Sequence, residues 1–269
     1  MKRIAAILLL FVLAGVTACA APENAAGTRE TAPAAETRTA EAVGTVAGTE
    51  TAEETTTEKE TTMTHETMCA RLLYQGHGSV RITTPEGKTV YVDPYAGDGY
   101  DVPADLILIT HAHSDHTAVE LIRKRATGCR LITWEDALAD GKHQTFDLGY
   151  LTVEAVEAGN NKNHDLKSCV GYVLTLSDGV TVYLSGDTSK TEEMTRLAEK
   201  KIDYAFFCCD GIYNMGLAEA AECARLVGAK HNVPYHMAPG QLFDRAKAEA
   251  FDAPNKLIVA DGEEITLTK

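Results

Sequence analysis

Asp105-Leu106-Ile107-Leu108-Ile109, running into Thr110-His111-Ala112-His113-Ser114-Asp115-His116, is the stretch on which the reading of this chain turns. The aliphatic run reads as a strand covered on both faces. The loop directly after it, at the strand's C-terminal edge, packs three histidines and an aspartate into six residues. Side chains two apart in an extended loop point the same way, so His111 and His113 can face one cation. Asp115 and His116 lie one step further along and can turn to a second cation beside it. Imidazole plus carboxylate at this density suits Zn²⁺, Mn²⁺ or Fe²⁺, whereas all-oxygen sites suit Mg²⁺ or Ca²⁺.

Outward from this loop, residues 71–74, 79–83 and 89–92 read as strands, separated by Gly76-His77-Gly78 and Pro85-Glu86-Gly87 as turns. Residues 118–126 read as a helix ended by Gly128. Further on, 170–176 and 180–184 flank Ser177-Asp178-Gly179, which predicts a hairpin. A helix over 191–200, a strand over 204–208, a helix over 217–227 and another near 241–250 follow. Strands over 256–260 and 264–267 close the chain around Asp261-Gly262. That order predicts an α/β domain of two sheets faced by helices.

The motif His111-x-His113-x-Asp115-His116 resembles the metal motif of the metallo-β-lactamase-fold hydrolases, and the resemblance runs over roughly residues 68–269. It is closest to the branch containing the ascorbate-6-phosphate lactonase-like metal-dependent hydrolases. Gly76-His77-Gly78 followed by Thr89-Val90-Tyr91-Val92-Asp93-Pro94 is similar to that branch's opening. Asn163-His164, Ser185-Gly186-Asp187-Thr188 and Val233-Pro234-Tyr235-His236 are similar to its later motifs. The resemblance implies the metallo-β-lactamase fold, a four-layer αββα sandwich of two mixed β-sheets flanked by helices.

It also implies two divalent metal ions, Zn²⁺ first and Mn²⁺ or Fe²⁺ as alternatives. Carried over, His111, His113 and His164 hold the first metal, Asp115, His116 and His236 the second, and Asp187 bridges them. A bridging carboxylate offers two oxygens and a negative charge, which offsets repulsion between cations about 3.5–4 Å apart. A water shared between the metals loses its proton near neutral pH and, as hydroxide, becomes the nucleophile. Asp115 can also take a proton as that attack proceeds, which makes it the candidate catalytic residue. Other readings stand beside some of these. Asp187 could cap the helix starting near 191, His231 lies five residues before His236, and His164 sits in the polar loop Asn160-Asn161-Lys162-Asn163. Asp93 could accept the far N–H of a ligand histidine or simply make a turn before Pro94. His77, between two glycines, could contact substrate or metal-bound groups or be an ordinary loop histidine.

The rest of the composition bounds the function. The 269 residues carry 25 basic and 39 acidic side chains, a formal net charge of −14. A surface this acidic repels a phosphate backbone, so nucleic acid is not an expected partner. Lys2 and Arg3, the apolar run from Ile4 to Leu13 and Val16-Thr17-Ala18-Cys19 read as a lipoprotein signal over 1–19, with Cys19 lipidated. Residues 20–66 hold ten Glu against Arg29, Arg38 and Lys59, are rich in Ala and Thr, and read as a disordered tether. The hydrolase domain is then 67–269, exported and anchored by lipid to the outer face of a bacterial membrane. Its six cysteines form no C-x-x-C pair and read as mostly buried free thiols.

The expected function is a dinuclear-metal hydrolase acting on a small-molecule lactone, ester, amide or phosphodiester. The alternative is a surface lipoprotein that binds a metal or ligand without turning it over.

Overall fold

The computed structural model describes residues 69–269; the expected signal, its Cys19 and the tether lie outside the described residues. β1 (Arg71–Gly76), β2 (Ser79–Thr83) and β3 (Thr89–Val92) form an antiparallel meander. β4 (Ala104–Leu108) and β5 (Arg125–Ile132) extend it in parallel. After the short helix α1 (Trp134–Ala137), a second meander runs through β6 (Thr145–Asp147), β7 (Leu151–Glu157), β8 (Val170–Leu176) and β9 (Thr181–Leu184). Helix α2 (Met194–Leu197) leads to β10 (Tyr204–Cys208), and α3 (Leu217–Val227) leads to β11 (His231–Tyr235), both strands parallel to β9 in one sheet. Helix α4 (Arg245–Ala250) precedes β12 (Glu264–Thr266), which returns to pair antiparallel with β1. The result is two mixed six-stranded sheets, ordered β12-β1-β2-β3-β4-β5 and β11-β10-β9-β8-β7-β6.

The two-residue period of the strands decides where the core sits. Val80, Ile82, Val90, Val92, Leu106 and Leu108 of the first sheet share one cluster with Val153, Tyr172, Leu174, Val182 and Leu184 of the second. Tyr91, Ile107 and Ile109, one residue out of step, point the other way into a smaller cluster with Tyr100 and Ile122. The aliphatic run Leu106 to Ile109 is therefore buried on both faces. Helix α3 turns Ala220, Ala221, Cys223, Ala224 and Val227 inward and packs on β10 and α2. It stops at Gly228, whose φ of +66° is the left-handed cap position that glycine fills without strain.

Three expected elements differ. The helix over 118–126 is a single 3₁₀ turn, Val119–Leu121, after which Arg125–Ile132 joins the open edge of β4, pairing Leu106 with Arg130, Ile107 with Leu131 and Leu108 with Ile132. An isolated helix of two and a half turns is marginal, and the sheet edge offers backbone partners that it cannot match. The helix over 191–200 shortens to α2 and a 3₁₀ turn at Ala198–Lys200. The strand over 256–260 reduces to one bridge between Asn232 and Lys256. Strands β6, β7 and β11 went unread, although Leu151, Val153 and Ala155 alternate inward in β7 as a half-covered strand should. All six cysteines of the described residues are unpaired, with Cys169, Cys208, Cys209 and Cys223 buried, Cys129 half-buried and Cys69 exposed.

Candidate metal centre

The parallel arrangement of β3 with β4 in one sheet, and of β9, β10 and β11 in the other, brings the residues just beyond their C-terminal ends together. Asp93 follows β3, His111 to His116 follow β4, Asp187 follows β9, Asp210 follows β10 and His236 follows β11. His77 comes from the β1–β2 turn and His164 from the loop before β8. His77, Asp93 and His236 all take positive φ, at 55°, 47° and 45°. Each such non-glycine residue costs about 1–3 kcal/mol, so backbone strain collects here. His236 N–H bonds the carbonyl of His77 at 2.9 Å, which holds two of the strained residues to each other.

Two groups of donors form. His111 Nε2 and His164 Nε2 lie 3.1 and 3.2 Å from His113 Nδ1. Beside them, Asp115 Oδ2 lies 3.1 Å from His77 Nε2 and 3.9 Å from His236 Nε2, with His116 in the same group. Asp187 stands between the groups. Its Oδ2 is 3.3 Å from His164 Nε2, and its Oδ1 is 3.4 Å from both His116 Nε2 and His236 Nε2. Metal–nitrogen bonds of about 2.0–2.1 Å give a tetrahedral ligand–ligand edge of about 3.4 Å, so this spacing fits ions held in each group.

The outer hydrogen bonds decide which way the ring lone pairs point. His116 Nδ1 donates to Asp93 Oδ2 at 2.8 Å. That carboxylate also accepts from Thr110 Oγ1 at 2.6 Å and from Thr110 N at 2.8 Å. With its proton spent on Asp93, Thr110 Oγ1 accepts from His111 Nδ1 at 3.0 Å. Asn161 Oδ1, which accepts from the backbone N–H groups of Asn163 and His164, accepts from His164 Nδ1 at 3.3 Å as well. In all three rings the Nδ1 proton faces outward and the Nε2 lone pair faces the cluster, the arrangement a ligand histidine needs. His77 is different: Nδ1 donates to the carbonyl of Gln241 at 3.1 Å, and Nε2 meets an acceptor-only carboxylate.

Electrostatics follow from this burial. Burial pushes His111 down to about 2, with His116 adding to the effect. It lowers His164 and takes His236 down to about 4, in both cases against the pull of Asp187. Burial opposes the charged form of His116 too, but Asp187 and Asp93 outweigh it and carry that ring to about 9. A proton or a metal ion between His116 and Asp187 answers the same pull. Burial would raise Asp187, yet His236, His116 and His111 hold it below the usual carboxylate range. Asp115 is likewise held low against burial, by its hydrogen bond to His77 and by His116.

His116 Nε2, His236 Nε2, His236 Nδ1 and Asp187 Oδ1 are buried without a hydrogen-bond partner among the described residues. Buried polar atoms are rarely left so, and three of these four face one another. A cation would satisfy His116 Nε2, His236 Nε2 and Asp187 Oδ1 together, so the donor set fits metal.

A cavity of about 370 Å³ opens over the cluster, lined by Tyr95, His113, Ser114, Asp115, Asn163, His164, Asp187, Tyr213 and His236. His77 is fully buried and does not line it, so it reaches the cluster from behind and not from the substrate side. Residues 98–101 lie at a separate cavity with Leu121, Arg123 and Lys124. His231 stacks on Tyr204, away from the cluster. Asp187 does not cap α2, whose flanking residue Glu193 has no side-chain cap.

Two buried side chains, Asn214 and Asp210, support the centre in roles that no sequence motif assigned to them. Asn214 Nδ2 donates to Asp187 Oδ2 at 2.7 Å and to Asp210 Oδ2 at 2.8 Å. Asp210 Oδ2 also lies 3.6 Å from His236 Nδ1. The available signal was positional: Asp210, like Asp93 and Asp187, is an aspartate just past a buried strand.

Known proteins similar to this chain include metal-dependent hydrolases. The family profile described as the β-lactamase superfamily domain matches residues 71–236. A UPF0173 metal-dependent hydrolase of Geobacillus sp. (strain WCH70) is 32% identical over 193 residues, 62% of this chain and 84% of its own length. Another, from Rubrobacter xylanophilus, is 29% identical over 195 residues, 62% of this chain and 81% of its own. A crystal structure from Parabacteroides distasonis ATCC 8503 superposes with a TM-score of 0.58 at 30% identity, covering 71% of this chain and 92% of that one.

Proposed function

The chain belongs to the β-lactamase superfamily, as one of its UPF0173 metal-dependent hydrolases, and from that premise we propose that it works with two divalent ions on a small-molecule lactone, ester, amide or phosphodiester. The observation that carries this reading is the split of Asp187, with one carboxylate oxygen toward His164 and the other toward His116 and His236. His111, His113 and His164 would hold one ion, Asp115, His116 and His236 the other, and Asp187 would serve both. When bound, such a pair supplies Lewis acidity to the scissile oxygen and an acidified water, with Zn²⁺, Mn²⁺ and Fe²⁺ all suited to the donors.

The chain's own residues do the rest. Asp115 is half-buried and lines the cavity, which puts its carboxylate where it can accept a proton released beside it. His77 pins the Asp115 carboxylate from behind at 3.1 Å. Ser114 and Asn163 offer neutral hydrogen bonds to a substrate, and Tyr95 and Tyr213 give it flanking walls. The resemblance to the ascorbate-6-phosphate lactonase-like branch favours a lactone or a phosphorylated small molecule, by analogy of fold.

Elemental analysis of the purified protein beside Asp187→Ala, with both assayed on a lactone and phosphodiester panel, tests this reading. The expected result is two ions per chain and turnover that vanishes in the variant. A folded protein that retains no metal above background would overturn it.

Export and lipid anchoring at Cys19 belong to the same proposal and are supported by the sequence pattern over 1–19. Labelled fatty acid should enter the wild-type chain in a bacterial host and fail to enter Cys19→Ser.

A further inference from the structure

We propose that the substrate carries no charge away from the bond that is cut and has an apolar chain or ring beside that bond, as a neutral ester or lactone would. This rests on the metal-hydrolase reading above and narrows it, setting aside the phosphorylated substrates that the branch analogy favoured.

The first observation is charge. None of the residues lining the cavity is Lys or Arg; apart from the metal donors the wall is Tyr95, Ser114, Asn163 and Tyr213. Proteins meet phosphate with guanidinium or ammonium groups or with the N-terminus of a helix. A substrate carrying a phosphate away from its reacting bond would find neutral side chains here and the carboxylate of Asp115.

The second observation is where the apolar surface lies. Among the described residues only Leu131, Leu166, Ile212 and Tyr213 are large hydrophobics left exposed. Leu131 belongs to the edge strand β5. Ile212 and Tyr213 lie on the turn directly before Asn214, and Tyr213 lines the cavity, whereas Leu166 lines the neighbouring cavity with Asn160, Lys162 and Ser168. Asn163 Nδ2 donates to the carbonyl of Tyr213 at 3.0 Å, which ties this turn to the loop of His164. Single exposed hydrophobics need no explanation, but two adjacent on one turn, with Tyr213 in the cavity wall, offer apolar surface to a ligand.

The third observation is that the tip is held outward. Asp210 Oδ1 accepts the backbone N–H groups of Ile212 at 2.6 Å and Tyr213 at 2.7 Å. Asp210 itself is buried and bonded to Asn214. Ile212 stands 60% and Tyr213 50% exposed on this braced turn. A turn fixed from beneath presents its apolar side chains without the ordering cost that a loose loop would incur on binding. Hydrolysis of a neutral ester or lactone consumes one water, breaks the acyl C–O bond, and leaves a carboxylic acid and an alcohol, so no further reactant is required.

The test uses hydroxamates, whose metal-chelating head is the same whatever the tail, titrated calorimetrically into the metal-loaded protein. Each methylene buried adds about fourfold in affinity. Octanohydroxamate should therefore bind at least tenfold tighter than acetohydroxamate, and tighter than the octanedioic monohydroxamate, whose tail ends in a carboxylate. In the double variant Ile212→Ser, Tyr213→Ser the ratio between octanohydroxamate and acetohydroxamate should fall toward one. Equal affinities for the long and short tails, a preference for the charged tail, or an unchanged ratio in the double variant would overturn the proposal while leaving the metal hydrolase standing. Failure of acetohydroxamate itself to bind would overturn the metal reading, and this inference with it.

Discussion

Asn214 donates its amide to Asp187 at 2.7 Å, on the carboxylate oxygen that faces His164, and so leaves the other oxygen turned to His116 and His236. The same nitrogen serves Asp210 at 2.8 Å, so one neutral amide stands between two buried carboxylates. Replacing it by Asp sets three like charges together, whereas Leu removes only the donor. In chelator, Asn214→Leu should cost about 1–3 kcal/mol of stability, the penalty for leaving buried acceptors unpaired. Asn214→Asp should cost more than that. Urea denaturation of both variants checks the order, and equal stabilities would contradict it.

Asp93 is the hub behind His111 and His116, accepting from His116 directly and from Thr110, which in turn accepts from His111. Asp93→Asn keeps the shape but can present an N–H where His116 Nδ1 needs an acceptor. The ring then carries its proton on Nε2, with no lone pair toward the cluster. Metal affinity should fall by about 10–100-fold with the fold retained. Competition with a fluorescent chelator measures it, and circular dichroism shows whether the fold survives.

Gly78 permits a close approach that no other residue allows. A Cβ there would lie 2.9 Å from Cε1 of His116, a buried ring already fixed to Asp93. Gly78→Ala should therefore displace His116 and cost about 1–3 kcal/mol, along with part of the metal affinity. A melting temperature and metal content equal to the wild type would show that the ring yields freely.

The metal-free protein should be most stable near pH 6.5. In the unfolded chain histidine takes up its proton below about 6.5. His111 and His236, buried, resist it in the fold until about 2 and about 4. Below pH 6.5 the unfolded state thus binds more protons, and stability falls as pH falls. His116 is held protonated up to about 9, so its contribution is full below 6.5 and is lost as pH rises through 9. Thermal melts in chelator from pH 5 to 9 should trace a dome, and a steady rise toward pH 9 would count against it.

Local chemistry was legible in the residues alone. The strand 105–109 and its His-Asp loop, the hairpin around Ser177-Asp178-Gly179 and helix α3 with its glycine stop all depend on neighbours within a few positions. Periodicity and turn chemistry act over that range, so the sequence by itself determined two sheets, a metal-binding loop and the donors closest to it. The tertiary structure decided the rest. Whether 118–126 coils or 125–132 pairs depends on an open edge at β4, which no local propensity registers. That His77 meets Asp115, that Asp93 serves His116 and that Asn214 braces Asp187 are contacts between residues 38, 23 and 27 positions apart. They exist because the ends of the parallel strands and the β1–β2 turn meet at one place, and only the completed sheets bring those segments together.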